Sequence, residues 1–290
     1  MAAQLSSQKA QPHRGLVARI LDQSQARGRL VVSLDELVQS SGLSPLAVRR
    51  QLEHLGERVA RLPGRPATYL LVAPEHRARG TPPVASWLDA YLRYREQPYY
   101  LGLLSAAALH GSSHQAVQVT QVLTPRPTRP FYLGRLRMDF YVKSSLAQTP
   151  LSGLTGMPAP MAVSTPEATA LDLVAFNKRI GGIRRAGEVI FGMKPKMTVA
   201  GLKKALAAEP QTAVKQRLGY VLDVLGMNQL AKVVERSLPA GLAPTLLQFE
   251  GKAAAPSTAP THLVRRWNVV DNLGVESQLR EVLPIACRTH

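Results

Sequence analysis

The chain has 290 residues, is 45% hydrophobic, and carries 36 Lys+Arg against 19 Asp+Glu, a formal net charge of +17. That length allows one or two domains with a substantial buried core, and a charge of that size attracts polyanions while saying nothing about fold. The one cysteine, Cys287, excludes an intrachain disulfide, the N-terminal segment lacks the apolar core of a secretory signal, and no apolar run approaches the ~20 residues of a membrane span, so the expectation is a cytoplasmic protein without a membrane partner.

Residues 1–13 are polar and expected to be disordered. Residues 15–27 place Leu16, Ile20 and Leu21 at helical spacing, and Val31-Val32 suggest a short strand. Ser33 and Glu36 then have the spacing of a capping box before Leu34, Leu37 and Val38. Gly42 can supply the positive φ of a sharp turn. Ser44 caps a second helix with Pro45 at its first position. On that helix Leu46, Val48, Leu52 and Leu55 are expected to face inward, leaving Arg49, Arg50, Glu53 and His54 outward. Residues 59–62 and 68–72 flank Pro63-Gly64-Arg65-Pro66 as a hairpin. Two capped helices, a tight turn and a hairpin form a winged helix-turn-helix, which presents its second helix to the major groove of DNA. The expected groove contacts are Ser44, Arg49, Arg50 and His54, and the expected wing contacts Arg61 and Arg65.

Residues 74–83, with three Pro, one Gly and two Arg, read as a linker. A helix is predicted over 84–95 with the stripe Trp87, Leu88, Tyr91 and Leu92, and a buried helix over 99–111. Residues 117–123 alternate as a half-buried strand, and residues 131–133 and 136–142 suggest a hairpin around Gly134-Arg135. Residues 144–162 read as an irregular crossing. Ser164-Thr165-Pro166-Glu167 has the pattern of a capping box opening a helix buried through Ala170, Leu171, Leu173, Val174 and Phe176. Further helices are predicted over 183–191, 199–208, 212–225 and 230–237, with a late strand at 245–249, a loop over 251–260, and a segment 262–270 returning to the sheet. The expected fold class is α+β: a winged helix-turn-helix over 14–73, the linker over 74–83, and a larger mixed α/β domain over 84–290 with a small, largely antiparallel sheet and several helices.

Three stretches resemble a known family. LSAAALHG at 104–111, VSTPEATALDLV at 163–174 and LGYVLDVLG at 218–226 are similar to signature stretches of the AbiEi antitoxins of type IV toxin–antitoxin systems. The resemblance covers about residues 14–250. It implies a bacterial autorepressor that binds inverted-repeat operator DNA, with a C-terminal antitoxin domain that counters a nucleotidyltransferase toxin of the AbiEii type. A stable complex with that toxin is not part of the implication, and the protein is expected to be a monomer in solution.

Several residues suggest other chemistry. His110 and His114 are spaced i, i+4 but lack a carboxylate or thiol companion, so His110 reads as a hydrogen-bonded helix end rather than a metal ligand. Asp139 and Lys143 on one predicted strand resemble the acid and lysine of metal-dependent nucleases, with Glu167 and Asp172 available from the next helix, although position 141 is Tyr where a second strand carboxylate would be expected. A ligand-sensing transcription factor without a toxin is a further alternative. No glycine-rich phosphate loop or nucleophile elbow occurs, so the expectation is a protein with no catalytic activity, metal or cofactor. Lys178, Arg179, Arg184, Arg185, Lys194, Lys196, Lys203, Lys204, Lys215 and Arg217 face only Glu188 and Glu209 in the same stretch, a candidate second polyanion-binding surface.

Overall fold

The structure, a computed structural model, describes residues 15–112, 119–153, 160–247 and 262–281. The described chain divides into two compact units. The first runs to Gln97 and includes Phe131–Leu136 and Pro160; the second holds the remainder.

In the first unit the elements are α1 (Leu16–Ala26), β1 (Val31–Ser33), α2 (Leu34–Ser41), α3 (Pro45–His54), β2 (Val59–Leu62) and β3 (Thr68–Leu71). The strands pair antiparallel in the order β1-β3-β2. The capping box forms as expected: Glu36 N–H donates to Ser33 Oγ at 3.1 Å and Ser33 N–H donates to Glu36 Oε2 at 3.3 Å. Gly42 ends α2 at φ 65°, and Ser44 Oγ accepts from Ala47 N–H at 3.3 Å. Val17, Leu21, Leu37, Val48, Leu52 and Leu71 close the core between helices and sheet. Leu46 departs from expectation: it is 58% exposed, because the core side of α3 is taken by Val48 and Leu52 and residue 46 falls on the opposite side.

Pro74–Arg79, expected within a linker, form a 3-10 helix, and the first unit continues through α4 (Leu88–Tyr94). The Trp87, Leu88, Tyr91 and Leu92 stripe is fully buried. β6 (Phe131–Leu133) belongs to this unit, with Phe131 edge-on to Tyr91 at 6.0 Å between centroids. Gly80 and Gly134 touch backbone to backbone, and a Cβ on Gly80 would lie 2.7 Å from Gly134 Cα. Within the stretch that looks like a linker from its Pro and Gly content, Gly80, Thr81 and Pro82 are therefore packed, while the 3-10 helix before them stays largely exposed.

The second unit begins with β4 (Tyr100–Leu101) and α5 (Leu103–Leu109), so the helix expected over 99–111 starts only after a strand. Tyr100 and Leu101 pair with β5 (Val119–Thr124) on one side, and Leu101 pairs with β9 (Val163–Ser164) on the other. β7 (Leu136–Val142) lies beside β5, and β8 (Leu151–Ser152) beside β9. β4–β5 and β8–β9 are antiparallel, whereas β5–β7 and β4–β9 are parallel, so the sheet is more mixed than the hairpin pattern suggests. β4 and β9 come from segments about sixty residues apart, and β5 and β7 are parallel with β6 between them in the chain, so local turn signals reveal neither pairing.

Six helices cover this core: α6 (Pro166–Ala175), α7 (Ile183–Met193), α8 (Val199–Ala208), α9 (Thr212–Val224), α10 (Asn228–Ser237) and α11 (Val275–Arg280). Every residue of α6 from Glu167 to Val174 is buried, so this helix is central and lacks an amphipathic stripe. β10 (Thr245–Leu246), β11 (His262–Val264) and β12 (Val269–Asp271) form a separate small sheet in the order β10-β12-β11, and the segment expected to rejoin the main sheet builds this one instead. The turn before β12 drives Trp267 against α9 at Gly219, where a Cβ would sit 2.1 Å from the indole. No described helix is long and apolar enough to cross a membrane.

Candidate nucleic-acid interface

The surface of α3 follows from its buried side. With Val48 and Leu52 inward, residues 46, 49, 50 and 53 share the outer face at i, i+3, i+4 and i+7 spacing, and all four are exposed. Ser44 and His54 are exposed at the two ends of the helix. The Ser44 oxygen is used as the cap acceptor, which leaves its O–H to donate outward. Arg49 and Arg61 line one surface groove of about 390 Å³ between α3 and the hairpin, together with Leu52, Glu53, Val59 and Tyr69. The predicted helix and wing contacts thus converge at that pair. Arg50 and Arg65 are exposed outside the groove.

The wing is anchored to its own unit. Tyr91 Oη donates to the Pro63 carbonyl at 2.8 Å, and Arg95 donates to the same oxygen at 3.0 Å. Gly64 has φ 103°, a left-handed conformation that requires glycine, and the Arg95 guanidinium lies against it, 2.1 Å from where a Cβ would be. A second brace holds the start of α2. Tyr94 Oη donates to Glu36 Oε2 at 2.7 Å, and Arg29 donates to Glu36 at 3.0 Å. Burial pushes the Glu36 carboxyl up, but the Tyr94 and Ser33 hydrogen bonds and the Arg29 charge outweigh it and hold the carboxyl below the usual range. α4 therefore positions both the wing and the helix preceding the turn.

The basic residues of 178–217 are spread over several elements. Arg184 and Arg185 both reach Glu188, Arg185 at 3.0 Å. Arg217 donates to the Leu246 carbonyl at 2.7 Å and to Thr245 at 3.3 Å, tying α9 to β10. Lys178, Arg179, Lys194, Lys196, Lys203 and Lys204 are exposed, and Lys215 is partly covered.

Asp139 and Lys143 are engaged by different groups. Asp139 accepts from Arg137 at 2.9 Å. Lys143 donates to Asp172 Oδ1 at 2.7 Å and lies 3.8 Å from Glu209, while Tyr100 Oη donates to Asp172 Oδ2 at 2.8 Å. Asp172 is 1% exposed; burial pushes its carboxyl up against the pull of Lys143 and Tyr100. Glu167 does not close a capping box with Ser164, which is buried in β9. Thr165 caps α6 instead, accepting from Ala168 N–H at 3.3 Å. The Glu167 carboxylate accepts from Thr198 N–H at 2.7 Å and from its hydroxyl at 3.1 Å, at the start of α8. His114 and Cys287 lie outside the described residues, and among the described residues no group of three or more His, Cys, Asp or Glu is arranged to hold a metal ion.

The signature stretches supply tertiary braces. Tyr220 Oη donates to Asp271 at 3.0 Å, and Asp223 accepts from Trp267 Nε1 at 3.0 Å and from Arg266 at 2.7 Å. His110 is 4% exposed and its Nε2 lies 2.7 Å from the Ser164 carbonyl. A carbonyl only accepts, so Nε2 carries the proton. Burial lowers the His110 pKa below its ordinary value, and the bond to Ser164 opposes this only in part. A lowered folded pKa means that the stability from the neutral ring is present above the unfolded value of about 6.5 and is lost as pH falls toward the folded value. Unfolding free energy measured in urea should therefore drop between pH 7.5 and 5.5, and the drop should be smaller in His110→Gln. An equal drop in both proteins would remove this histidine from the pH dependence.

Sequence reasoning missed the Tyr100–Asp172–Lys143 linkage, although a lone Asp inside the apolar run of α6 is a signal that a buried partner is needed. It also missed Trp267 and α11, whose Leu279 packs over Gly187.

By fold, then, this is a two-unit α+β protein: a winged helix-turn-helix unit and a larger mixed helical and sheet unit. Residues 100–224, most of them in the second unit, match the family model described as the AbiEi antitoxin C-terminal domain. The crystal structure of the RV2827C protein from Mycobacterium tuberculosis is similar in fold, with a TM-score of 0.64 at 16% identity, over 92% of this chain and 94% of that one. No curated protein matches the chain.

Proposed function

We propose that this protein is the antitoxin of a type IV toxin–antitoxin pair and represses its own operon through the winged unit. The observation that carries the DNA-binding part is the outer face of α3, where Arg49 and Arg50 stand exposed opposite the buried Val48 and Leu52, with Arg49 sharing a groove with Arg61. The antitoxin part is supported by the family match of residues 100–224. In this reading the protein is a cytoplasmic monomer in solution and binds inverted-repeat operator DNA. Its second unit counters a nucleotidyltransferase toxin without catalysis of its own. Operator sequence is read by Arg49 or Arg50, assisted by Ser44 and His54, while Arg61 and Arg65 hold phosphates. The exposed lysines and arginines of 178–217 offer a further polyanion surface.

The test is a reporter driven by the protein's own promoter, together with growth when the neighbouring toxin gene is co-expressed. Repression and rescue are both expected. Arg49→Ala or Arg50→Ala, whichever removes the base contact, should cost ~1–3 kcal/mol of specific binding and little non-specific binding. Arg61→Ala and Arg65→Ala should weaken binding to all sequences alike. If both helix variants keep wild-type discrimination between promoter and random DNA, the assignment of the reading face is wrong.

A further inference from the structure

The outer face of α3 holds one residue that a purely electrostatic contact does not use. Leu46 is 58% exposed in a stripe whose other members, Arg49, Arg50 and Glu53, are charged. A single leucine on a protein surface needs no explanation by itself. Its position matters here. Leu46 is the second residue of α3, directly after the Ser44 cap and Pro45, which fix the backbone at that end. In helix-turn-helix docking the N-terminal residues of the second helix contact base edges. An apolar side chain there has no hydrogen bond to offer, and the apolar feature on a major-groove edge is the C5-methyl of thymine.

We propose that Leu46 reads the C5-methyl group of a thymine in the major groove. The inference rests on the DNA-binding reading above and deepens it by naming a specificity contact. Three residues of helix advance about 4.5 Å from Leu46 to Arg49. The thymine therefore lies one or two base pairs from any guanine that Arg49 contacts. Leu46 packs on the methyl while the arginines fix register, so the site discriminates thymine from cytosine without a polar group aimed at the pyrimidine.

The full chain is used to select bound duplexes from a random pool. Each thymine of the selected site is then replaced singly by deoxyuridine, which removes only the methyl, and affinity is read by fluorescence anisotropy. Wild type should lose about fourfold at one thymine per half-site, the worth of one buried methyl-sized group. Leu46→Ala, whose side chain supports no core, should bind the thymine duplex about as weakly as wild type binds the deoxyuridine duplex, and should be indifferent to the replacement. Leu46→Met should retain most of the discrimination. Leu46→Ala binding the thymine duplex as tightly as wild type overturns the proposal, as does undiminished sensitivity to deoxyuridine in that variant. Wild-type binding that no deoxyuridine replacement weakens overturns it as well, while leaving the DNA-binding reading standing. Failure of wild type to select any duplex overturns that reading and this proposal with it.

Discussion

Replacing Lys143 with methionine should destabilise the protein by ~3–5 kcal/mol, because it leaves Asp172 buried without its cation. Asp172 is 1% exposed and Glu209 5% exposed, and Lys143 at 2.7 Å and 3.8 Å is their shared positive charge. The loss corresponds to a drop in melting temperature on the order of 10 °C. Its pH dependence has a definite sign. Burial already raises the Asp172 pKa in the fold, and a raised folded pKa means that stability is fully present below the unfolded value and lost as pH rises. Removing Lys143 raises it further, so the deficit should be larger at pH 8 than at pH 5. Lys143→Met combined with Asp172→Asn should be less damaging than the two single costs added, since Asn still accepts from Tyr100 and carries no charge to strand. Additive costs, or a deficit independent of pH, would show that the pair does not act as a unit. In this fold Lys143 is the cation shared by two buried carboxylates.

DNA binding should weaken about a thousandfold between 50 and 200 mM salt, corresponding to a log–log slope near −5 for about six neutralised phosphates. The motivation is the +17 net charge together with exposed Arg49, Arg50, Arg61 and Arg65 on the helix and hairpin. Arg61→Ala should reduce the slope by about one. A slope shallower than about −2 would mean that phosphate contacts are few and that the charge serves another purpose. The exposed lysines of the second unit enter the same measurement, because a Lys203→Ala/Lys204→Ala variant that shortens the slope joins that surface to the DNA contact.

The local chemistry of the winged unit was legible in the residues. Capping by Ser33 and Ser44, the positive φ of Gly42 and the Pro-Gly wing turn act within a few residues, so their pattern names the element that forms. The same holds for α8, whose Thr198 cap and apolar spacing mark its extent. The side that a short helix buries was less legible: the sequence suggests both Leu46 and Val48 inward, but α3 buries Val48 and Leu52 and leaves Leu46 out, a choice that depends on where α1 and the sheet lie. Long-range partners were not legible at all. Tyr100 enters a strand because β5 and β9 flank it, Glu167 turns to Thr198 although its spacing suits a cap, and Asp172 meets Lys143 across 29 residues. Residues 74–83 look like a linker by composition, and 74–79 do stay largely exposed, but Gly80, Thr81 and Pro82 pack, because the backbone contact between Gly80 and Gly134 needs the small residues that composition reads as flexible. Sequence by itself thus determined capping, turns and the excess of positive charge, since those are local or additive. Only the tertiary structure decided which polar groups are buried together, because desolvation makes a partner obligatory without saying where in the chain that partner lies.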